Sequence, residues 1–303
     1  MRYRQTRAAG VVPRASEIHR EGLQRFCQGS FEKSGGQILT GESSLAAETM
    51  QLFYTGVFYI AGSILLSLSG MWLVRKFVSY EVMEGHKEIA GFVYGILGTI
   101  YAVILGFSVV VLWEQFHDAE IIADREASEL SDLHRLAQAL PADQQSALSL
   151  SLKKYCKLVI DEEWPLMDNG KPSLNAHAQL LEIWREGQRL DPHTEREQII
   201  IGKIVDTLVD LDDARRGRLL AARSALPKPL WFVLIAGAVI TIGFSFLFGL
   251  KNVIAHGVIT TLLAASIGLG LFIIAALEGP FSGSLRLSPE AFTAVLESWD
   301  RTP

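Results

Sequence analysis

The sequence predicts an all-α membrane protein: four transmembrane helices with an all-helical soluble domain inserted between the second and the third. Three observations predict it. The spans Leu52–Val74, Ile89–Trp113, Leu230–Leu250 and Val253–Leu277 contain no Asp, Glu, Lys or Arg. The 303-residue chain is 49% hydrophobic with a mean hydropathy of +0.25, more apolar than a soluble domain of this size requires. Between the second and third spans, apolar residues recur at helical spacing and nothing alternates as a strand would.

Residues 1–49 carry seven Lys/Arg, several glycines and no sustained period, which predicts a disordered N-terminal tail. No apolar signal core lies there, so no cleavable signal is expected. Met50, directly before the first span, is a plausible natural start, with residues 1–49 then foreign to the protein. Residues 50–113 form the first transmembrane hairpin and 230–277 the second. A hydrocarbon core of ~30 Å takes ~20 helical residues, which each span supplies. Phe53, Tyr54, Trp72, Trp113 and Trp231 lie at span ends, where amphipathic rings favour the headgroup level.

Residues 114–229 hold 15 Lys/Arg and 21 Asp/Glu, a soluble composition. Phe116, Ala119, Ala123, Leu130, Leu133, Ala137 and Leu140 form one helical stripe, and Leu148, Leu152, Tyr155 and Val159 another. No breaker separates Trp113 from Leu140, so the second span is expected to continue as one rod from Ile89 to about Ala139. Asp191-Pro192 reads as an N-cap and first helical position, predicting a helix from Pro192 to Ala225 with the stripe Ile201, Ile204, Leu208 and Leu211. The rod's membrane-proximal part is acidic and includes Glu120, Asp124 and Glu126. Arg215, Arg216, Arg218 and Arg223 form a candidate membrane-proximal basic patch opposite it. An antiparallel pairing of the two helices would set Asp124, Glu120 and Arg125 against those arginines. Residues 278–303 are read as a C-terminal tail.

Lys and Arg near the spans favour a cytoplasmic soluble domain with both termini inside; in a bacterium the membrane is then the inner one. The formal net charge of −5 excludes a nucleic-acid partner. The two cysteines exclude a disulfide framework. No phosphate loop, nucleotide fingerprint or nucleophile elbow is found, so no enzyme and no cofactor is expected. The Glu114-Gln115-Phe116-His117 run has metal-ligand spacing but no second copy, and no metal site is predicted.

Within the second span, Gly91, Gly95, Gly98, Ala102 and Gly106 recur three and four apart, the spacing of close helix packing. Tyr94, Tyr101 and Ser108 form an uncharged polar line on another face and are the candidate pore-lining residues. His256, about a turn into the fourth span, is expected at the interface.

The order Gly91 to Trp113-Glu114-Gln115, Arg125-Glu126-Ala127, Glu163-Trp164-Pro165, Arg196-Glu197-Gln198, Ala214-Arg215-Arg216, Gly243-Phe244-Ser245 and Pro280-Phe281-Ser282-Gly283 resembles the bestrophin-like domain family of bacterial and plant membrane proteins. That resemblance covers about residues 50–297. It implies four membrane helices with a helical domain between the second and third. Through the similarity of that family to bestrophins, it also implies a homo-oligomeric anion channel passing small anions across the bilayer. Bestrophins carry an acidic calcium cluster after the last span; here only Glu278, Glu290, Glu297 and Asp300 follow it, so calcium gating is not carried over. The competing expectation is a membrane-anchored scaffolding protein without transport activity.

Overall fold

The computed structural model describes residues 49–77, 87–248, 252–283 and 285–301, and all regular structure among them is helical. The expected tail up to residue 48 lies outside the described residues. Helix α1 spans Thr49–Phe77. Helix α2, Lys87–Ala137, is a rod of 51 residues, about 75 Å at 1.5 Å per residue. It ends where the chain tightens toward Pro141, with Ala139 and Leu140 donating to Leu136 and Ala137.

Helix α3 (Ala142–Leu158) runs through one π-helical turn, Val159–Glu163, into the short α4 (Trp164–Met167). The wide turn precedes Pro165, whose ring crowds the carbonyl four residues back and offers it no N–H. Ser173 caps α5 (Leu174–Arg189), its hydroxyl accepting from Ala176 N–H. Helix α6 is Glu195–Ala221 and starts later than Asp191-Pro192 suggested. Thr194 is the cap, accepting from Glu197 N–H, while the Glu197 carboxylate accepts from His193 N–H. This reciprocal pair satisfies more of the orphan donors than Asp191 would alone.

Helix α7 (Lys228–Ser245) begins at the Pro227/Pro229 break, and α8 (Val253–Leu277) is capped by the Asn252 side chain. The last segment is no tail. Helix α9 (Glu290–Arg301) buries Phe292 and Trp299, and Val295 and Leu296 pack beside them. Phe292, Val295, Leu296 and Trp299 fall three and four apart, one apolar face seeking a core.

Two groups of contacts organise the chain. Leu130, Leu133, Leu148, Leu152, Ile183, Leu208 and Phe292 join the far half of α2 to α3, α5, α6 and α9 in one core. At the other end, α2 lies against α7 and α8. Tyr101 meets Gly237, Tyr94 stacks on Phe244 at 5.8 Å between ring centroids, and Leu105 sits on Gly270. Helix α1 packs along α8, with Gly56 at Phe272, Ser63 at Gly268 and Met71 at Gly257. Rising numbers on α1 meet falling numbers on α8, so the two are antiparallel. Among the described residues, four helices are long and apolar enough to cross a membrane: Thr49–Phe77, Ile89–Ala137, Lys228–Ser245 and Val253–Leu277. Only 11% to 33% of their most apolar windows is buried in the protomer, so most of this apolar surface faces outward.

Candidate functional site

The described structure offers two places where side-chain chemistry is concentrated: the faces of α2 in its membrane half, and an ion-pair network beyond it. In the membrane half, the line of Tyr94, Tyr101 and Ser108 is turned inward. Tyr101 is 7% exposed against Gly237, and Ser108 is buried with its hydroxyl donated to the Ile104 carbonyl. Tyr94 is half-buried between Phe244 and Phe248. The face expected to line a path is therefore the one α7 closes within the protomer. Aromatic bulk explains the difference, because the rings fill the notch at Gly237 and the surface of Phe244, where smaller groups would leave voids.

The glycine line is turned the other way. Among the described residues, a Cβ added at Gly95, Gly98 or Gly106 would meet nothing within 4 Å, and at Gly91 only Phe248 at 3.9 Å. Ala102 is exposed on the same side, as are Phe92, Ile96, Thr99, Val103 and Phe107. Among the described residues, these glycines thus meet no part of their own chain beyond Phe248 at Gly91.

Beyond the membrane half, Glu126 of α2, Glu163 of the π-helical turn and Arg215 and Arg218 of α6 form a buried network. Arg218 Nε donates to Glu126 Oε2 at 2.6 Å, and its Nη2 donates to Glu126 Oε1 at 3.0 Å and Glu163 Oε2 at 2.8 Å. Arg215 Nη2 donates to Glu163 Oε1 at 2.6 Å. Tyr155 Oη donates to Glu126 Oε1 at 2.7 Å, and Ser173 N–H to Glu163 Oε1 at 3.0 Å. The Arg218 guanidinium also lies 5.4 Å from the Trp164 ring and 5.6 Å from that of Phe292. Two carboxylates face two guanidinium groups, so the charges cancel. Burial pushes the Glu163 carboxyl up, but Arg218 and Arg215 outweigh it and leave its pKa below the ordinary value. Burial opposes the charge on Arg218, yet Glu126 and its hydrogen bonds hold the pKa above the usual guanidinium value. The Tyr155 hydroxyl is raised well above its ordinary value by burial and then by Glu126.

Arg215 and Arg218 are accordingly not part of an exposed basic patch. Of the four arginines proposed for it, Arg216 is exposed and pairs along its own helix with Asp212 and Asp213. Arg223 Nε donates to the Gly170 carbonyl at 3.1 Å. The helices α2 and α6 do run antiparallel, but their charges meet differently from the expectation. Glu126 takes Arg218, Arg125 reaches Asp210 at 3.4 Å, and Asp124 and Glu120 are exposed. Sequence reasoning places Glu126 only in the acidic stretch facing the arginines and misses it, and Glu163, as buried partners, although a signal exists. The stripe of Ala119, Ala123, Leu130 and Leu133 has a gap that residues 126 and 127 must fill, and Arg215 and Arg218 continue the stripe of Leu208 and Leu211.

His117, exposed, meets Glu120 rather than Glu114. His256 is buried: its Nε2 lies 3.0 Å from the Ser245 carbonyl and its Nδ1 3.0 Å from Arg75 Nη2. A carbonyl only accepts, so Nε2 carries the proton and Nδ1 accepts from the arginine.

Four apolar spans with a polar helical core at one end define an integral membrane protein. More narrowly, the chain belongs to the bestrophin-like family, whose domain matches residues 61–292. Among solved structures, a single-substitution variant of a bacterial bestrophin homologue from Klebsiella pneumoniae aligns with a TM-score of 0.61 at 15% identity, covering 80% of this chain and 96% of that one. A structure of such a homologue from the same organism, phased on zinc, gives 0.59 at 15% identity over 80% and 95%. A variant of a protein described only as a membrane protein gives 0.59 at 15% identity over 81% and 97%. At such identity the likeness is one of fold. No curated protein matches the chain.

Proposed function

We propose that the chain is one subunit of a homo-oligomeric, bestrophin-type anion channel, with the outward face of α2 meeting the other copies around an axial path. The observation that carries this reading is the open glycine face of α2, where Gly95, Gly98 and Gly106 have empty space before them. In a bilayer, small residues at this spacing favour close approach of another helix. Exposed Ile199, Val205 and Val209 on α6 and Ile121 on α2 extend apolar surface beyond the spans, where water leaves it at a cost unless another copy covers it. Four helices of one chain are too few for a wide pore, so the path belongs to the assembly.

In this reading residues 50–113 and 230–277 are the two hairpins, and 114–229 form a cytoplasmic helical domain inserted between them, joined by α9. The candidate path residues move from the tyrosine line to the outward residues Phe92, Ile96, Thr99, Val103 and Phe107. Planar-bilayer recording of the purified oligomer tests the proposal. Current that reverses near the anion potential in a salt gradient, with altered unit conductance in Phe107→Ala and none in Tyr101→Phe, is the expected result. No current from a correctly assembled oligomer would transfer the reading to a membrane-anchored scaffold.

A further inference from the structure

A cavity of about 390 Å³ lies between α1 and α7 over a floor of α8. Ser67, Gly70, Val239, Gly243, Phe246 and Ile267 are among its walls. No charged residue lines it. One end is shut by Phe246, whose ring stands where a Cβ on Gly70 would approach it to 2.7 Å. Leu66, Ile235 and Val239, also in its walls, are exposed on the outer surface of the spans, so the cavity communicates with the space that a bilayer fills.

The Ser67 hydroxyl makes this more than an apolar gap. Ser67 is 1% exposed, and its Oγ has no hydrogen-bond partner. Several other span hydroxyls are satisfied on carbonyls, Ser69 on Leu66, Ser108 on Ile104, Thr260 on His256 and Ser266 on Leu262, whereas the Tyr101 hydroxyl is also unpartnered but does not line this cavity. A buried group left unpaired calls for a partner. Water alone is poorly held in walls this apolar, since a buried water makes about three hydrogen bonds. The other serine hydroxyl in the walls, that of Ser63, gives its single proton to the Ile60 or the Ala264 carbonyl and keeps only its oxygen as an acceptor. An ion is excluded by the absence of any opposite charge in the walls. What fits is apolar over most of its length and carries one oxygen.

We propose that this cavity binds a small uncharged amphiphile taken up from the bilayer, an alkyl chain with a single hydroxyl or carbonyl oxygen that hydrogen-bonds Ser67. The site does not depend on conduction. It requires only that the four spans lie in a membrane, so its test is independent of any current.

The full-length protein in liposomes is photolabelled with a diazirine-bearing octanol and, separately, with the corresponding diazirine octane. The octanol label is expected on residues 63–70 and 235–246, competed by unlabelled 1-octanol. Ser67→Ala should lower octanol labelling roughly fivefold, as loss of one buried hydrogen bond implies, and leave octane labelling unchanged. Gly243→Leu should abolish both, because a Cβ there enters empty space within the cavity. Val239→Phe, starting from an exposed position, carries the same expectation if the leucine variant fails to assemble. Equal octanol labelling of wild type and Ser67→Ala overturns the proposal, as does labelling that octanol does not compete. Labelling confined to dispersed monomers also overturns it and assigns the cavity to contact with a second copy.

Discussion

Glu126 is wholly buried on the inner face of α2, and only Arg218, Arg215 and Tyr155 make that tolerable. Removing one partner of such a pair strands the other charge, whereas an exposed pair contributes ~0–1 kcal/mol. Arg218→Ala should therefore destabilise the protein by about 3–5 kcal/mol, and Arg216→Glu by under about 1 kcal/mol, read as shifts in thermal unfolding in detergent. Similar losses for the two would mean that the network contributes nothing. Arg218→Lys should not restore stability, because an ammonium cannot span both carboxylates in the guanidinium geometry. The lowered pKa of Glu163 sets a pH dependence. Its stabilisation is complete above the unfolded value of about 4.3 and is lost as pH falls through the lower folded value. Thermal stability should drop on acidification through that window, and Glu163→Gln should flatten the slope. These residues were only half legible in the sequence. Periodicity places residues 126, 215 and 218 on inner faces, but charge counting assigns acids and bases to the surface, and that expectation won.

The helices show a different balance. The length of α2 and the breaks at Pro141 and Pro227 could be read directly, because they depend on proline and on unbroken apolar spacing. The orientation of α2 could not, since glycine and tyrosine lines are both compatible with contact inside or between chains. Gly237→Val should separate α7 from α2, as its side chain would enter the space of the Tyr101 ring. Tyr101→Phe should be silent, because its hydroxyl has no partner to lose. Yield of folded protein by size exclusion distinguishes the two. Helix α9 was misread as a tail because twelve residues at a chain end look marginal until their common face finds a core. That face is held on α2 by the stacking of Trp299 on His134, ring centroids 4.6 Å apart, and on α3 by the Lys153–Asp300 pair. Burial and then Lys153 lower the His134 pKa, and Lys153 and Lys157 both act on Asp300. The stability contributed by neutral His134 is present above the unfolded value of about 6.5 and fades as pH falls through the folded one. Hydrogen-exchange protection across residues 290–301, taken relative to the intrinsic exchange rate at each pH, should thus fall on going from about pH 7.5 to 5.5. His134→Phe should keep protection high at both; unchanged protection in the wild type would refute the link.

For the whole molecule, family and span number were legible because they rest on motif order and on long uncharged runs, both properties of a single chain. What assembles was not, because it depends on surfaces that no intrachain contact defines. A particle several times the 33.4 kDa chain is expected in mild detergent, and Gly95→Leu should reduce it to monomer while far-ultraviolet dichroism stays helical. A wild-type monomer would remove the basis for a shared path. The unbroken course of α2 carries a further consequence. Its membrane half and the half bearing Glu126 are one stiff body with no proline between them, so a twist or tilt imposed where α6 and α9 grip it must reappear among the exposed glycines. Helices α6 and α9 hold the handle of this lever and the glycine face is its blade, so loosening the grip is expected to change the angle of the blade.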